Sequence, residues 1–166
     1  MVEAQLVADV LSLSVNNIIY PPQVVSTGLP FAVAVVRDHD ALKRAVLKQN
    51  ELLKLQAEFD MPDTDVMAPF LVTLSGATSA GDTFAHLLLT PPMSVEDPFT
   101  GSATGAMASY IWAKGLIKKL RFIAEQGHSL GRLGQAMLTV LGPPLAISGL
   151  RIAGQAHVTM SGKLNL

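Results

Sequence analysis

The sequence predicts an α+β fold in which a curled mixed or mostly antiparallel sheet wraps around one central, buried helix. Three observations carry this. Apolar β-like runs outnumber helical ones and do not alternate with them, which argues against a doubly wound parallel sheet. One helical stretch, Gly101 to Ala113, is apolar all round and rich in glycine, alanine and serine, as a helix enclosed by other elements would be. The 166-residue chain is 49% hydrophobic and only 15% charged, against about 25% charged in an ordinary soluble domain. It therefore needs either one dense core or an apolar surface shared with another domain or subunit.

Taken in order, residues 3–14 place Leu6, Val7, Val10 and Leu11 at helical spacing. Asn16, Asn17 and the Pro21–Pro22 pair then force a loop. Residues 23–36, rich in valine and broken by Gly28 and Pro30, read as two short strands, the second apolar enough to be buried. Residues 37–60 predict the clearest helix, with Leu42, Ala45, Val46, Leu52 and Leu53 inward, Lys43, Lys48, Glu51 and Lys54 outward, and Asp38 or Asp40 as its cap. A loop over 61–65 precedes strands in 66–76 and 82–90. The buried helix follows, and then four β-like runs in 121–127, 135–142, 145–154 and 156–166, punctuated by glycine.

Composition excludes several classes of function. The net charge of −1 offers no basic excess for a nucleic-acid backbone. The absence of cysteine removes disulfides, thiolate metal sites and a cysteine nucleophile or acid/base. The uncharged stretch between Asp9 and Arg37 is too interrupted to span a bilayer, and no basic residue precedes the first apolar run as in a signal peptide. The expectation is a soluble, cytoplasmic protein without nucleic-acid or membrane partners. His39, His86, His128 and His157 lack the helical spacing of a zinc pair, so no metal or cofactor is expected. Glu125 and Arg132 read as an ion pair at the end of the sheet.

The chemistry concentrates at the start of the buried helix. Thr100, Gly101 and Ser102 form its N-terminus, where free backbone N–H groups and the helix dipole attract anions. Gly101 lets a ligand approach the backbone, Ser102 adds a hydroxyl, and Asp97 lies just upstream, before Pro98. Two readings stay open from the residues alone. Asp97 or Thr100 caps the helix, which is the commoner use of such residues, or the acid and the helix end share a ligand.

The stretch EDPFTGSATGAMASYIW (96–112) resembles the EDPxTGSA motif of the phenazine-biosynthesis PhzC/PhzF family. FIAEQGHSLGRLGQ (122–135), VVSTGLPFAVAVVRDHDALKRA (24–45) and AHVTMSGKLNL (156–166) resemble further segments of that family in the same order. The resemblance implies one lobe of a diaminopimelate epimerase-like fold, in which two similar lobes each curl a sheet around a helix and face each other across the active site. It implies a cofactor-free isomerase or epimerase that moves a proton on a small carboxylated metabolite, of the kind met in secondary-metabolite biosynthesis. Asp97 matches the aspartate that the phenazine-type branch carries where the epimerases have cysteine, and Gly101 and Ser102 match substrate-binding residues. The chain departs from the family in length. The first lobe, with its catalytic glutamate and glycine-histidine pair, has no counterpart here, and Thr83 stands near a position where the family commonly has arginine. Residues 1–166 are accordingly expected to form a single domain like the second lobe, completed by a first lobe or a homodimer partner, or else an inactive binding module.

Overall fold

The computed structural model describes residues 2–59, 67–93 and 95–164. Helix α1 (Ala4–Val10) and a 3-10 turn at Val15–Asn17 lead into strands β1 (Gln23–Ser26) and β2 (Pro30–Val35). Helices α2 (His39–Arg44) and α3 (Gln49–Ala57) follow, then β3 (Ala68–Thr73), β4 (Thr83–Leu88) and the two-residue β5 (Glu96–Asp97). Helix α4 (Gly101–Ala113) and strands β6 (Arg121–Gln126), β7 (Gly134–Leu141) and β8 (Gly149–Ala153) complete the order. All eight strands join one mixed sheet, β1-β2-β3-β4-β6-β7-β8, with β5 paired to β4. The β2–β3 and β4–β6 pairs are parallel and the others antiparallel.

Strand alternation explains the apolar composition. On β2, Phe31, Val33 and Val35 face α4, while Ala32 and Ala34 face α1, α2 and α3. β3 and β4 divide in the same way: Phe70, Val72, Ala85 and Leu87 point inward, and Leu71, Phe84 and Leu88 point outward. Three neighbouring strands are therefore buried on both faces, and two cores share one sheet. α4 fills the inner face with Ala103, Ala106, Met107, Tyr110 and Ile111. Its far end is tied down where the Tyr110 hydroxyl donates to the Pro21 carbonyl (2.7 Å) and Trp112 Nε1 donates to Gly142 (3.1 Å). Gly105 earns its place by close approach, since a methyl group there would press on Thr27 Oγ1 at 3.1 Å.

Two expectations fail. The helix predicted over 37–60 is two helices, because Ala45 turns extended and the next residues leave the helical path. Val46 N–H donates to the Leu11 carbonyl (2.9 Å) and Lys48 N–H to that of Val10 (2.8 Å). These are the C-terminal carbonyls that α1 cannot satisfy itself, so a tertiary pairing overrides local propensity. Val46 and Leu53 are exposed as a result, and Leu55 takes an inward place beside Leu42 and Leu52. Asp38 is the cap, accepting from Ala41 N–H at 2.7 Å. The second failure is the last strand. Residues 154–164 are exposed and belong to no strand, although their polar–apolar alternation would suit an edge. The predicted loop over 61–65 lies outside the described residues.

Candidate functional site

Strand β5 sets the geometry of the site. Asp97 pairs with Leu87 and Glu96 with Leu88, so the two acids emerge on opposite faces of the sheet. Asp97 lies on the α4 side and Glu96 on the side of the outer helices. The half-buried Asp97 carboxylate accepts the Thr100 hydroxyl at Oδ2. The intervening loop is clamped from β6. Gln126 Oε1 accepts from Thr100 N–H at 3.1 Å, and Gln126 Nε2 donates to the Asp97 carbonyl at 2.7 Å. Gly127, at φ 81°, lies so close to the carbonyls of Pro98 and Arg132 that any Cβ would collide with both. The path of the Asp97–Thr100 segment is thus fixed by the β6–β7 corner.

Thr100 is the N-cap residue of α4, but its side chain makes no capping bond to the helix. The expectation that Asp97 or Thr100 caps the helix therefore fails: their hydroxyl and carboxylate satisfy each other. The first-turn amides at Gly101 and Ser102 have no carbonyl four residues back to bond. The two residues line a cleft of about 650 Å³ between the turn after β1, the exposed side of α4 and the β7–β8 connection. Gly101, Ser102, Gly105 and Ser109 form its helix wall, Ser26 and Thr27 lie opposite, and Leu150 and Ile152 give an apolar side. A Cβ on Gly101 would meet nothing, so that position is open rather than packed. Of the four site residues expected from sequence, Gly101 and Ser102 line the cleft. Asp97 and Thr100 are not part of its wall.

The outer face holds a second polar group that sequence spacing did not reveal. His39, His86 and His128 each meet the Phe84 ring edge-on, with centroids 5.5, 5.1 and 5.3 Å away. His86 Nδ1 lies 3.6 Å from the Glu96 carboxylate. Burial, with smaller effects from His39 and Lys43, pushes His86 down to about 4. Burial also raises Glu96, against the opposing Ser129 hydroxyl. Both partners thus move toward their uncharged forms, and their proximity does not make an ion pair. Glu125 is not bonded to Arg132, as the sequence had suggested. Its carboxylate accepts from the Thr78 amide (2.9 Å), the Thr78 hydroxyl (2.6 Å) and Gln135 Nε2 (2.7 Å). Burial favours its neutral form, but these bonds outweigh burial and hold the carboxyl below its usual range. Among the described residues no group of three His, Asp or Glu side chains is placed to hold a metal ion. No helix among them is long and apolar enough to cross a membrane.

The family model for PhzC-PhzF, the phenazine biosynthesis-like proteins, matches residues 2–162. The chain belongs to the PhzC-PhzF family. A curated relative, the uncharacterized isomerase YfhB of Bacillus subtilis (strain 168), is 29% identical over 111 residues, covering 66% of this chain and 36% of its own length. Among solved structures, the PhzF-family phenazine biosynthesis protein of Bacillus anthracis superposes with a TM-score of 0.73 at 20% identity, covering 90% of this chain and 50% of the other. A Pseudomonas aeruginosa protein described as a predicted epimerase gives 0.64 at 27% identity, covering 96% and 54%. This PhzF-family chain spans about a third of the curated relative and about half of each of these two structures. The shared fold agrees with the expected α+β lobe.

Proposed function

We propose that this chain provides the carboxylate-holding, proton-handling half of a PhzF-type isomerase or epimerase that acts on a small carboxylated metabolite without a cofactor. The observation that carries the reading is the uncapped start of α4. Gly101 and Ser102, whose first-turn amides have no partner within the helix, line a cleft beside its positive end, with Asp97 one loop upstream. In this reading the substrate carboxylate sits on those amides and the Ser102 hydroxyl. Asp97 takes a proton from an adjacent C–H bond, or returns one, and no other reactant is consumed. An aspartate that works near neutral pH needs a drier setting than an open lobe provides. The reading therefore includes a companion surface over the cleft, either the other lobe of a longer protein or a second copy of this chain. The relatives named isomerase and epimerase support the reaction class.

One observation favours the second reading, an inactive module that binds a ligand or partner: Asp97 is engaged by Thr100 and lies outside the cleft wall. A titration of the full chain with acetate and benzoate, followed by amide nitrogen shifts, tests the part common to both readings. The amides of Gly101 and Ser102 should move most, and Ser102→Ala should weaken binding about tenfold, the scale of one lost hydrogen bond to a charged group. Unmoved amides, or equal affinity in the variant, would overturn the assignment of the carboxylate site.

A further inference from the structure

Gln126 is a primary amide with 1% of its surface exposed, at the end of β6 and beneath the start of α4. Three contacts occupy it: Oε1 accepts from Thr100 N–H (3.1 Å), and Nε2 donates to the Asp97 carbonyl (2.7 Å) and to Thr100 Oγ1 (3.4 Å). Two of these partners are main-chain groups of opposite polarity. Turning the amide over would set N–H against N–H and carbonyl against carbonyl, so only one orientation is permitted. In that orientation Thr100 Oγ1 receives a hydrogen from Gln126, and its single proton is directed to Asp97 Oδ2. The hydroxyl that would ordinarily turn back to cap α4 is committed elsewhere, which accounts for the missing cap.

We infer that Gln126 is a positioning residue for this site: its amide aims the Thr100 hydroxyl at Asp97 Oδ2, so that the amides of Gly101 and Ser102 stay open to a carboxylate and Oδ1 is the oxygen left to exchange a proton with substrate. The inference rests on the reading of Asp97 and the α4 N-terminus given above. It adds a directed donor chain, Gln126 to Thr100 to Asp97, whose loss has a signature that a general loosening of the fold would not produce. Without Gln126 only the bond to Asp97 Oδ2 holds the Thr100 hydroxyl, and its oxygen can turn to the Ser102 or Ala103 amide and compete with the ligand. Removing that hydroxyl as well should then restore binding.

The test uses the full chain with acetate as the probe. Gln126→Met keeps the length and removes every hydrogen bond. It should lower acetate affinity at the Gly101 and Ser102 amides about tenfold, and Gln126→Met with Thr100→Val should recover most of the loss. Recovery is the decisive sign, since a merely structural Gln126 would leave the double variant no better than the single one. Wild-type affinity in Gln126→Met, or no recovery in the double variant, would overturn the inference. Should Gln126→Met fail to fold, Gln126→Asn, too short to span both main-chain partners, replaces it with the same two expectations. A separate arm needs no ligand. The Thr100 hydroxyl proton should be protected from solvent exchange in the wild type and lost on substitution of Gln126. If acetate binds nowhere near Gly101 while that proton behaves as expected, the carboxylate site fails and the positioning of Thr100 stands. If the proton is equally protected in the Gln126 variants, the positioning role itself is refuted.

Discussion

Replacing Glu125 with glutamine changes the charge of a buried group without opening a cavity. In the native chain three donors converge on two oxygens: the Thr78 amide at 2.9 Å, the Thr78 hydroxyl at 2.6 Å and Gln135 Nε2 at 2.7 Å. A glutamine has only one oxygen, so at least one donor must reorient or lose its partner. Hydrogen bonds to a charged acceptor are worth about 1.5–3 kcal/mol each, and neutral ones about 0.5–1.5. Thr78 and Gln135 are themselves exposed and can turn to water, which limits the loss. Glu125→Gln should therefore cost about 1–3 kcal/mol at pH 7. The pH dependence follows from the sign of the shift. A carboxyl held below its usual value stabilises the fold above its unfolded pKa of about 4.3, and that contribution disappears as pH falls through the lower folded value. Urea unfolding followed by Trp112 fluorescence, at pH 7 and again near pH 3, measures the gap between wild type and variant. It should shrink at the lower pH. A gap that is absent at pH 7, or unchanged between the two, would refute the claim that hydrogen bonding outweighs burial here.

His86 adds to the same acid sensitivity at higher pH. Its folded value of about 4 lies below the ordinary histidine value of 6.5, so the unfolded chain binds the proton more readily. Stability should fall by up to about 3 kcal/mol as pH drops from 6.5 to 4, and His86→Leu should flatten that slope in the same urea assay. An equally steep slope in the variant would show that other groups are responsible. Gly127→Ala places a Cβ at φ 81° against the Pro98 and Arg132 carbonyls, and should cost about 2–4 kcal/mol. A variant within about 0.5 kcal/mol of wild type would show that the β6–β7 corner does not clamp the Asp97 loop.

Local signals were enough for some of this molecule. The small, apolar stretch at 101–113 required a largely buried helix, and α4 is buried from Ala103 to Ala108 and at Tyr110 and Ile111, while Gly101, Ser102 and Ser109 line the cleft. The unbroken apolar run in β2 foretold burial on both faces. The break at Ala45–Lys48 was not legible, because its cause is two carbonyls on α1 more than 30 residues away in sequence, and no local pattern records them. The three histidines around Phe84 were hidden for the same reason. Only His86 stands at strand spacing from that ring, and His39 and His128 arrive from separate elements. Gln126 could have been found. Glu125 and Gln126 are consecutive polar residues at the end of an apolar strand, so alternation sends them to opposite faces, each into a core that requires partners. The acid and the helix end were visible as neighbours in the sequence. That Thr100 would bond Asp97 instead of capping α4 depends on Gln126 and appeared only in three dimensions.

The measurement that tests the proposed reaction most directly is solvent-deuterium incorporation into small carboxylic acids carrying an acidic C–H bond. It reports proton exchange at carbon even when no net product forms. The chain should be assayed alone, and again joined to the part of the Pseudomonas aeruginosa predicted epimerase that it does not cover, which supplies the companion surface in this reading. The account predicts negligible exchange by residues 1–166 alone, exchange by the joined protein, and a loss of at least about a hundredfold on Asp97→Asn, the lower range for a group in acid–base catalysis. Exchange by the joined protein that is indifferent to Asp97→Asn would contradict the role given to that carboxylate. Strong exchange by the isolated chain would contradict the need for a companion surface.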